Sequence, residues 1–308
     1  MLGELQEQGV DAVIMDLRGN GGGSLVEASD LAALFIGEGP VVQIRSGDGS
    51  TQVSRNRDTE PLYNGPLAVL IDRRSASGSE IFAGVIQDYD RGLIVGDRSF
   101  GKGTVQQLIP LDRFSRGSGP RLGELKVTVA KFYRVSGGSN QHRGIVPDIM
   151  LPSPYGEGGL GESERPTALP WDEIAATRYQ SRGFITSLVD SLAERHLTRA
   201  QLDPAYRLLQ EEFAAASSAR ERTTVSLQLD VRRRENETLE QQRLARENAR
   251  RALRGEDPVE ALADIDGSEE RDDVLLNASA AIVADLAIAV RRSEVVRSAP
   301  QTASGGAH

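Results

Sequence analysis

Apolar runs and helically spaced stretches alternate through the first half of the chain. The apolar runs are short and rich in Val, Ile and Leu, as buried strands are. The stretches between them carry apolar residues three and four positions apart, with Ile81, Val85 and Tyr89 on one predicted helix face. This alternation indicates an α/β layer fold over residues 1–152. The predicted strands are 11–17, 40–45, 66–72, 92–97, 104–111 and 124–135, and the predicted helices are 25–36 and 77–89.

The pattern changes after residue 152. Residues 153–170 (SPYGEGGLGESERPTALP) are rich in glycine, proline and acid and have no core pattern, which predicts a linker. Residues 171–292 are predicted to form a helical domain, and 293–308 a disordered tail. The apolar run 275–290 is too short and too interrupted for a membrane span, so it predicts a buried helix.

Composition excludes several classes of function. With 36 Lys+Arg against 45 Asp+Glu, the net charge of −9 argues against nucleic acid or an anionic membrane as the main partner. Cysteine is absent, which excludes disulfides and thiolate metal sites, and the three histidines are far apart. The first residues enter a helix and then a core strand at once, which predicts that the sequence is part of a longer domain.

The choice between lysine and arginine draws attention to Lys102. The chain contains only three lysines, Lys102, Lys126 and Lys131, and uses arginine elsewhere. A desolvated lysine can lose its proton and act as a base, whereas arginine stays protonated at working pH. To act as a base near neutral pH, the lysine must have its pKa lowered by roughly 3. The alternative is that Lys102, between two glycines, only occupies a turn.

Two glycine-rich motifs resemble ligand-binding loops. VGDRSFGKGT approaches a P-loop from Gly96, but Gly103 replaces the magnesium-binding hydroxyl and a β-branched run follows, which makes nucleotide binding the weaker alternative. DLRGNGGGS approaches a dinucleotide fingerprint from Gly19, but Ser24 stands at its last glycine position. Its successive glycines can present N–H groups to a phosphate or an oxyanion, or can simply form a turn.

RRSASGSEIFAG offers a candidate nucleophile. Ser77 and Glu80 fit a capping box at the start of a helix. A serine at a strand–turn–helix junction is also where hydrolases present a nucleophile. No histidine is suitably placed to act as its base, which leaves Lys102, and serine–lysine pairs are an established variant of the catalytic triad.

These motifs together resemble one family. VIMDLRGNGGGSLVEA, VLIDRRSASGSEIFAGVIQDYDRGLIVGDRSFGKGTVQ and FYRVSGGSNQHRGIVPDI are similar, block by block, to the C-terminal (tail-specific) processing proteases of peptidase family S41, Prc/Tsp branch. The likeness covers nearly the whole chain. It implies a ClpP/crotonase-like α/β protease core, here partial, followed by an α-helical C-terminal domain. The resemblance also implies a PDZ domain and further strands ahead of the first block, which are expected to lie outside these 308 residues.

The family pattern assigns roles to individual residues. By resemblance, Ser77 is the nucleophile, Lys102 the general base and Gln106 the residue that orients the base. In an extended strand, residues 102, 104 and 106 share a face, so the Gln106 amide oxygen could accept from the Lys102 amine.

The resemblance also predicts an oxyanion hole and a supporting residue. The N–H of Gly78, with that of Gly22 or Gly23, forms the oxyanion hole in this assignment. Asp88 matches a position that matters in the family. It lies about 16 Å along the helix from the nucleophile, which argues for structural support rather than for a direct role.

The activity implied by the resemblance is that of a serine endopeptidase. The expected substrates are proteins with exposed, apolar, unstructured C-termini, and no metal, cofactor, nucleic acid or membrane insertion is implied. The family branch works in the periplasm with a lipoprotein adaptor. The alternative is an inactive, truncated scaffold or binding fragment of the same family.

Overall fold

The computed structural model of the chain describes residues 1–57, 60–114, 122–155, 159–265 and 272–298, with side chains up to residue 293. The helices are α1 (Leu2–Glu7), α2 (Leu25–Ile36), α3 (Gly78–Asp88), α4 (Val189–Leu202), α5 (Pro204–Glu221), α6 (Leu229–Arg254) and α7 (Val274–Ser298). The strands are β1 (Val13–Asp16), β2 (Gly39–Ser46), β3 (Thr51–Asn56), β4 (Leu67–Ile71), β5 (Leu93–Gly96), β6 (Thr104–Pro110), β7 (Glu124–Tyr133) and β8 (Ile149–Met150).

A parallel sheet with strand order β1-β4-β5-β8 forms the centre of the molecule. Every residue of β4 is buried, which explains why this strand is a continuous apolar run rather than an alternating one. The carboxyl ends of parallel strands meet at one edge of a sheet, and the loops that follow β1, β4 and β5 therefore lie together. These three loops carry the candidate site.

Helices cover both faces of this sheet. Alternate β4 residues such as Val69 pack on one face against α2 and α3, where Phe35 and Phe82 are buried. The residues between them, such as Leu70, face the other way and pack against α4 and α7, where Leu286 is buried. The second face of the protease core is thus covered by helices from the C-terminal region of the chain.

The sequence predicted β1 as a core strand. Its two faces are covered, because Val13 and Met15 pack with one cluster and Ile14 with the other. Among the described residues, however, β1 pairs only with β4 and lies at an edge of the sheet.

A second sheet, with strand order β3-β2-β7-β6, is antiparallel. Strand β6 lies at its edge and leads away from Lys102. Its middle residues are exposed, including Leu108. The ladder between β6 and β7 has a register shift between Val105 and Gln106, the mark of a β-bulge.

The predicted helical domain begins later than the sequence indicated. Residues 171–184 are not helical; they run along the protease core and hydrogen-bond to it instead of to themselves. Trp171 Nε1 donates to the Ser139 carbonyl at 2.9 Å, and the Ile174 N–H donates to the Gly137 carbonyl at 2.9 Å. Helix α4 follows from Val189.

The apolar run near the end of the chain forms most of α7. Among the described residues, Val274–Ser293 is long and apolar enough to cross a membrane by length and composition. Ile282, Val283 and Leu286 in this segment are buried against the parallel sheet, so the predicted buried helix is confirmed. The helix continues to Ser298, beyond the predicted start of the tail at 293, and residues 299–308 lie outside the described residues.

Candidate active site

Ser77 lies in the turn between β4 and α3. This turn is fastened to the loop that follows β1, because Asp72 Oδ1 accepts from the Gly19 N–H at 2.9 Å and Ser75 Oγ donates to the Leu17 carbonyl at 2.8 Å. The φ angle of Ser77 is 57°, in a region that residues with a Cβ seldom adopt and that is enriched at functional sites. Its hydroxyl makes no hydrogen bond to the first turn of α3 and is partly exposed. The hydroxyl is therefore available to a ligand.

One buried carboxylate, that of Glu80, binds the backbone of both Ser77 and Lys102. Its Oε2 accepts from the N–H of Ser77 at 2.7 Å and from the N–H of Lys102 at 2.9 Å. Its Oε1 accepts from Ser99 Oγ at 2.6 Å and from the Gly101 N–H at 2.7 Å. Since two N–H groups share one oxygen, the backbone nitrogens of Ser77 and Lys102 cannot be further apart than the sum of those two distances.

The protonation of Glu80 decides whether it can hold all four donors. Burial raises the pKa of Glu80 to about 7, although the hydrogen bonds from Ser99, Ser77, Gly101 and Lys102 act in the opposite direction. Only the ionised carboxylate is purely an acceptor. The arrangement of the two loops therefore depends on an ionised Glu80.

Lys102 lies in the loop between β5 and β6 and is half-buried. Burial lowers the pKa of its amine, and the positive charge of Lys126 lowers it further, whereas Glu162 and Glu80 act in the opposite direction. No described residue forms a hydrogen bond or an ion pair with its Nζ. These are the conditions under which a lysine amine can be neutral and act as a base.

The glycine loop packs directly on the Ser77 turn. Gly22 has φ of 85°, and a Cβ on it would lie 2.4 Å from the Ala76 carbonyl oxygen, so only glycine fits. The Gly22 N–H donates to Asn20 Oδ1 at 2.9 Å. The N–H groups of Gly23 and Gly78 have no hydrogen-bond partner among the described residues. A Cβ on Gly78 would lie 3.2 Å from the Gly23 nitrogen, which shows that these two free donors are close together.

Gln106 does not contact Lys102 in this structure. Its side chain is exposed, and its Nε2 lies 3.5 Å from Thr128 Oγ1 on the neighbouring strand β7. Lys102 lies in the loop before β6, which begins at Thr104, so the strand alternation that would place residues 102 and 106 on one face does not extend to Lys102. Thr104 is buried, as expected of a residue on the inner face.

Comparison with known proteins identifies the family. The model of peptidase family S41 matches residues 1–151, and the model of the C-terminal domain of tail specific protease (DUF3340) matches residues 155–288. The chain belongs to peptidase family S41. This confirms the resemblance and the fold class predicted from the sequence, an α/β protease core with a helical C-terminal region.

Individual S41 relatives support the same placement. The chain is 40% identical over 291 residues to the tail-specific protease of Haemophilus influenzae, an alignment that covers 94% of this chain and 42% of that protein. It is 39% identical over 153 residues to a carboxyl-terminal-processing protease of Synechocystis sp., covering 50% of this chain and 34% of the relative. The chain thus spans less than half the length of these relatives.

A solved structure, the photosystem II D1 C-terminal processing protease, shares 34% identity with the chain. The match has a TM-score of 0.43 and covers 48% of this chain and 36% of that one.

The S41 expectation for Asp88 and the rival P-loop interpretation can both be compared with the geometry. Asp88 lies at the far end of α3 and binds Arg134, with 2.6 Å between Arg134 Nη2 and Asp88 Oδ1, which is the contact expected of a supporting residue. A strand, β6, follows the 96–103 loop, so the helix N-terminus that a P-loop requires is absent there.

The sequence analysis did not predict the contacts that two acidic residues make at this S41 site. Glu80 was interpreted only as half of a capping box, and its S-x-x-E spacing gave no sign that it also binds Gly101 and Lys102. Glu162 was placed in a linker, because the glycine- and proline-rich composition around it is typical of surface loops. In the structure its side chain is buried beside the loop that carries Lys102.

Proposed function

We propose that this chain is the part of a C-terminal processing serine protease that carries out peptide-bond hydrolysis, with Ser77 as nucleophile and Lys102 as general base. The observation that supports this most directly is the shared Glu80 oxygen, which binds the backbone of both residues. The lowered pKa of Lys102 and the unbonded Ser77 hydroxyl support the same roles.

The reaction follows from these positions. Neutral Lys102 accepts the Ser77 hydroxyl proton, and Oγ attacks the carbonyl carbon of the peptide bond. The N–H groups of Gly23 and Gly78 stabilise the negative charge that develops on the carbonyl oxygen. Lys102 returns its proton to the leaving amine and then activates the water that releases the acyl group from Ser77.

The substrates and the compartment are proposed from the family. The curated relatives are tail-specific and carboxyl-terminal-processing proteases. We therefore propose that the complete protein cleaves proteins with exposed, apolar, unstructured C-termini in the periplasm, with a lipoprotein adaptor as a further partner.

An inactive scaffold is the second candidate. One observation favours it: the Gln106 side chain, expected to orient the base, lies against Thr128 on the exposed side of β6. In that case the chain would keep the fold and bind protein tails without cleaving them.

Cleavage of a fluorogenic peptide with an apolar C-terminal tail distinguishes the two candidates. We expect turnover by a longer version that adds the amino-terminal PDZ-containing portion implied by the family resemblance, slower turnover by the 308-residue chain, and none by the Ser77→Ala variant of either. Equal cleavage by the Ser77→Ala variants, or none by any version, would contradict the protease assignment and favour the scaffold.

A further inference from the structure

The predicted linker returns to the loop that carries Lys102. The Glu162 N–H donates to the Phe100 carbonyl at 2.8 Å, two residues before the lysine. The Arg165 guanidinium lies 5.3 Å from the centre of the Phe100 ring, and a Cβ on Gly161 would lie 3.2 Å from the same carbonyl oxygen. Residues 161–165 therefore form one wall of the Lys102 loop.

The carboxylate of Glu162 is buried at this wall and has no hydrogen-bond donor. Its side chain is 9% exposed, and its Oε2 is buried without a hydrogen-bond partner. The Arg165 Nε lies 3.7 Å from Oε2, beyond hydrogen-bond distance, on a side chain that is 60% exposed. Arg165 thus pairs with the Glu162 carboxylate only from an exposed side chain, which leaves Oε2 free to interact with a second positive charge.

Four charged groups act on the pKa of Lys102. They are Lys126 on β7, Glu80 on α3, and Glu162 and Arg165 in the 161–165 wall. The two acids differ in what else they bind. Glu80 already accepts four hydrogen bonds, whereas Glu162 Oε2 accepts none. Glu162 is thus the carboxylate with capacity left for a positive charge on Lys102.

We propose that Glu162 is a positioning residue for the reaction, whose carboxylate stabilises the Lys102 ammonium that forms when Ser77 is deprotonated. The inference deepens the proposed function and rests on it. In this step the Ser77 O–H bond breaks and an N–H bond forms at Nζ, while the electron pair left on Oγ attacks the substrate carbonyl. Glu162 then has the part that the buried aspartate has in a serine–histidine–aspartate triad, where it stabilises the imidazolium.

The small number of lysines makes a direct test possible. Acetic anhydride at limiting concentration modifies only neutral amines, so the extent of acetylation against pH, measured by mass spectrometry of peptides, gives the pKa of each lysine separately. The variant is Glu162→Gln, which removes the charge but keeps the shape. The matched control is Glu164→Gln, two residues away and exposed.

We expect Glu162→Gln to lower the pKa of Lys102 by about 1, since a nearby opposite charge raises a lysine pKa by that order. Glu164→Gln should leave it at the wild-type value. If Glu162 only held residues 161–165 in place, its replacement would expose Lys102 to water and raise the pKa of Lys102. An unchanged or raised pKa in Glu162→Gln would therefore overturn the proposal.

The labelling does not depend on peptide cleavage, so it remains informative if the protease assignment fails. In the longer version, if it is active, Glu162→Gln should move the acidic limb of the kcat profile to lower pH by the same amount and lower kcat at its plateau. A limb that stays at the wild-type position would also overturn the proposal. Absence of cleavage in the wild type would contradict the protease assignment alone.

Discussion

The chain on the two sides of Lys102 is built in two different ways. On the amino-terminal side, Ser99 and Gly101 are buried and bind Glu80, which also binds Ser77. On the carboxyl-terminal side, β6 emerges at the edge of a sheet and exposes Gln106, beside a register shift in its ladder with β7. The difference teaches that Ser77 and Lys102, the proposed nucleophile and base, are held in place by a buried polar network, whereas Gln106, the residue expected to orient the base, is not.

The largest effect should come from breaking the network on the buried side. Glu80→Ala leaves four donors without an acceptor, and unsatisfied buried polar groups each cost about 1–3 kcal/mol. We expect the free energy of unfolding to fall by about 3 kcal/mol or more in urea titrations. Peptide cleavage should fall more than about 10-fold, because Ser77 and Lys102 lose their common anchor.

Asp30→Ala is the control for this variant. Asp30 is an exposed acid on α2, and its replacement should change the free energy of unfolding by less than about 0.5 kcal/mol. If Glu80→Ala were as stable and as active as Asp30→Ala, the Glu80 network would not be what fixes the loops that carry Ser77 and Lys102.

A smaller effect on the same side is expected from the glycine loop. In Gly22→Ala, the new Cβ would meet the Ala76 carbonyl, and φ of 85° is strained for alanine. We expect a loss of stability of about 1–3 kcal/mol, with a lower melting temperature and slower cleavage. Gly21→Ala adds a Cβ that meets nothing within 4 Å, and it should melt close to the wild type. Equal melting of the two variants would contradict the close approach of Gly22 to the Ser77 turn.

Much of the buried side could be predicted from the sequence. Apolar runs located β1, β4 and β5, and helical spacing located α2 and α3, because burial on both sides of a sheet leaves a strong pattern. Strand β3 was missed, since TQVSRN is polar and partly exposed and is held mainly by pairing with β2. Pairing partners are not encoded in the local pattern.

The candidate site was predictable in its residue types but not in its contacts. Ser77 and Lys102 could be singled out because their chemistry is distinctive at those positions. The outward position of Gln106 leaves no local signal, and neither does the return of residues 161–165 to Phe100. Residues 171–184 were predicted to be helical but hydrogen-bond to the protease core, because tertiary hydrogen bonds outweigh a weak local helix propensity.

The smallest effect on stability is expected on the exposed side. Gln106→Ala removes an exposed side chain with one long contact, of 3.5 Å, to Thr128. The free energy of unfolding should change by less than about 0.5 kcal/mol. A loss of several kcal/mol would contradict the exposed position of Gln106. Cleavage by the same variant, measured at equal stability, tests the orienting role that the family resemblance predicts for Gln106.

The central claim is that neutral Lys102 takes the proton of Ser77, and cleavage of a tail peptide by Lys102→Arg in the longer version tests it most directly. Arginine keeps the positive charge but cannot give up its proton at working pH. The account predicts that Lys102→Arg cleaves no faster than Ser77→Ala while it melts close to the wild type. Retained cleavage by Lys102→Arg, well above the Ser77→Ala background, would contradict the claim.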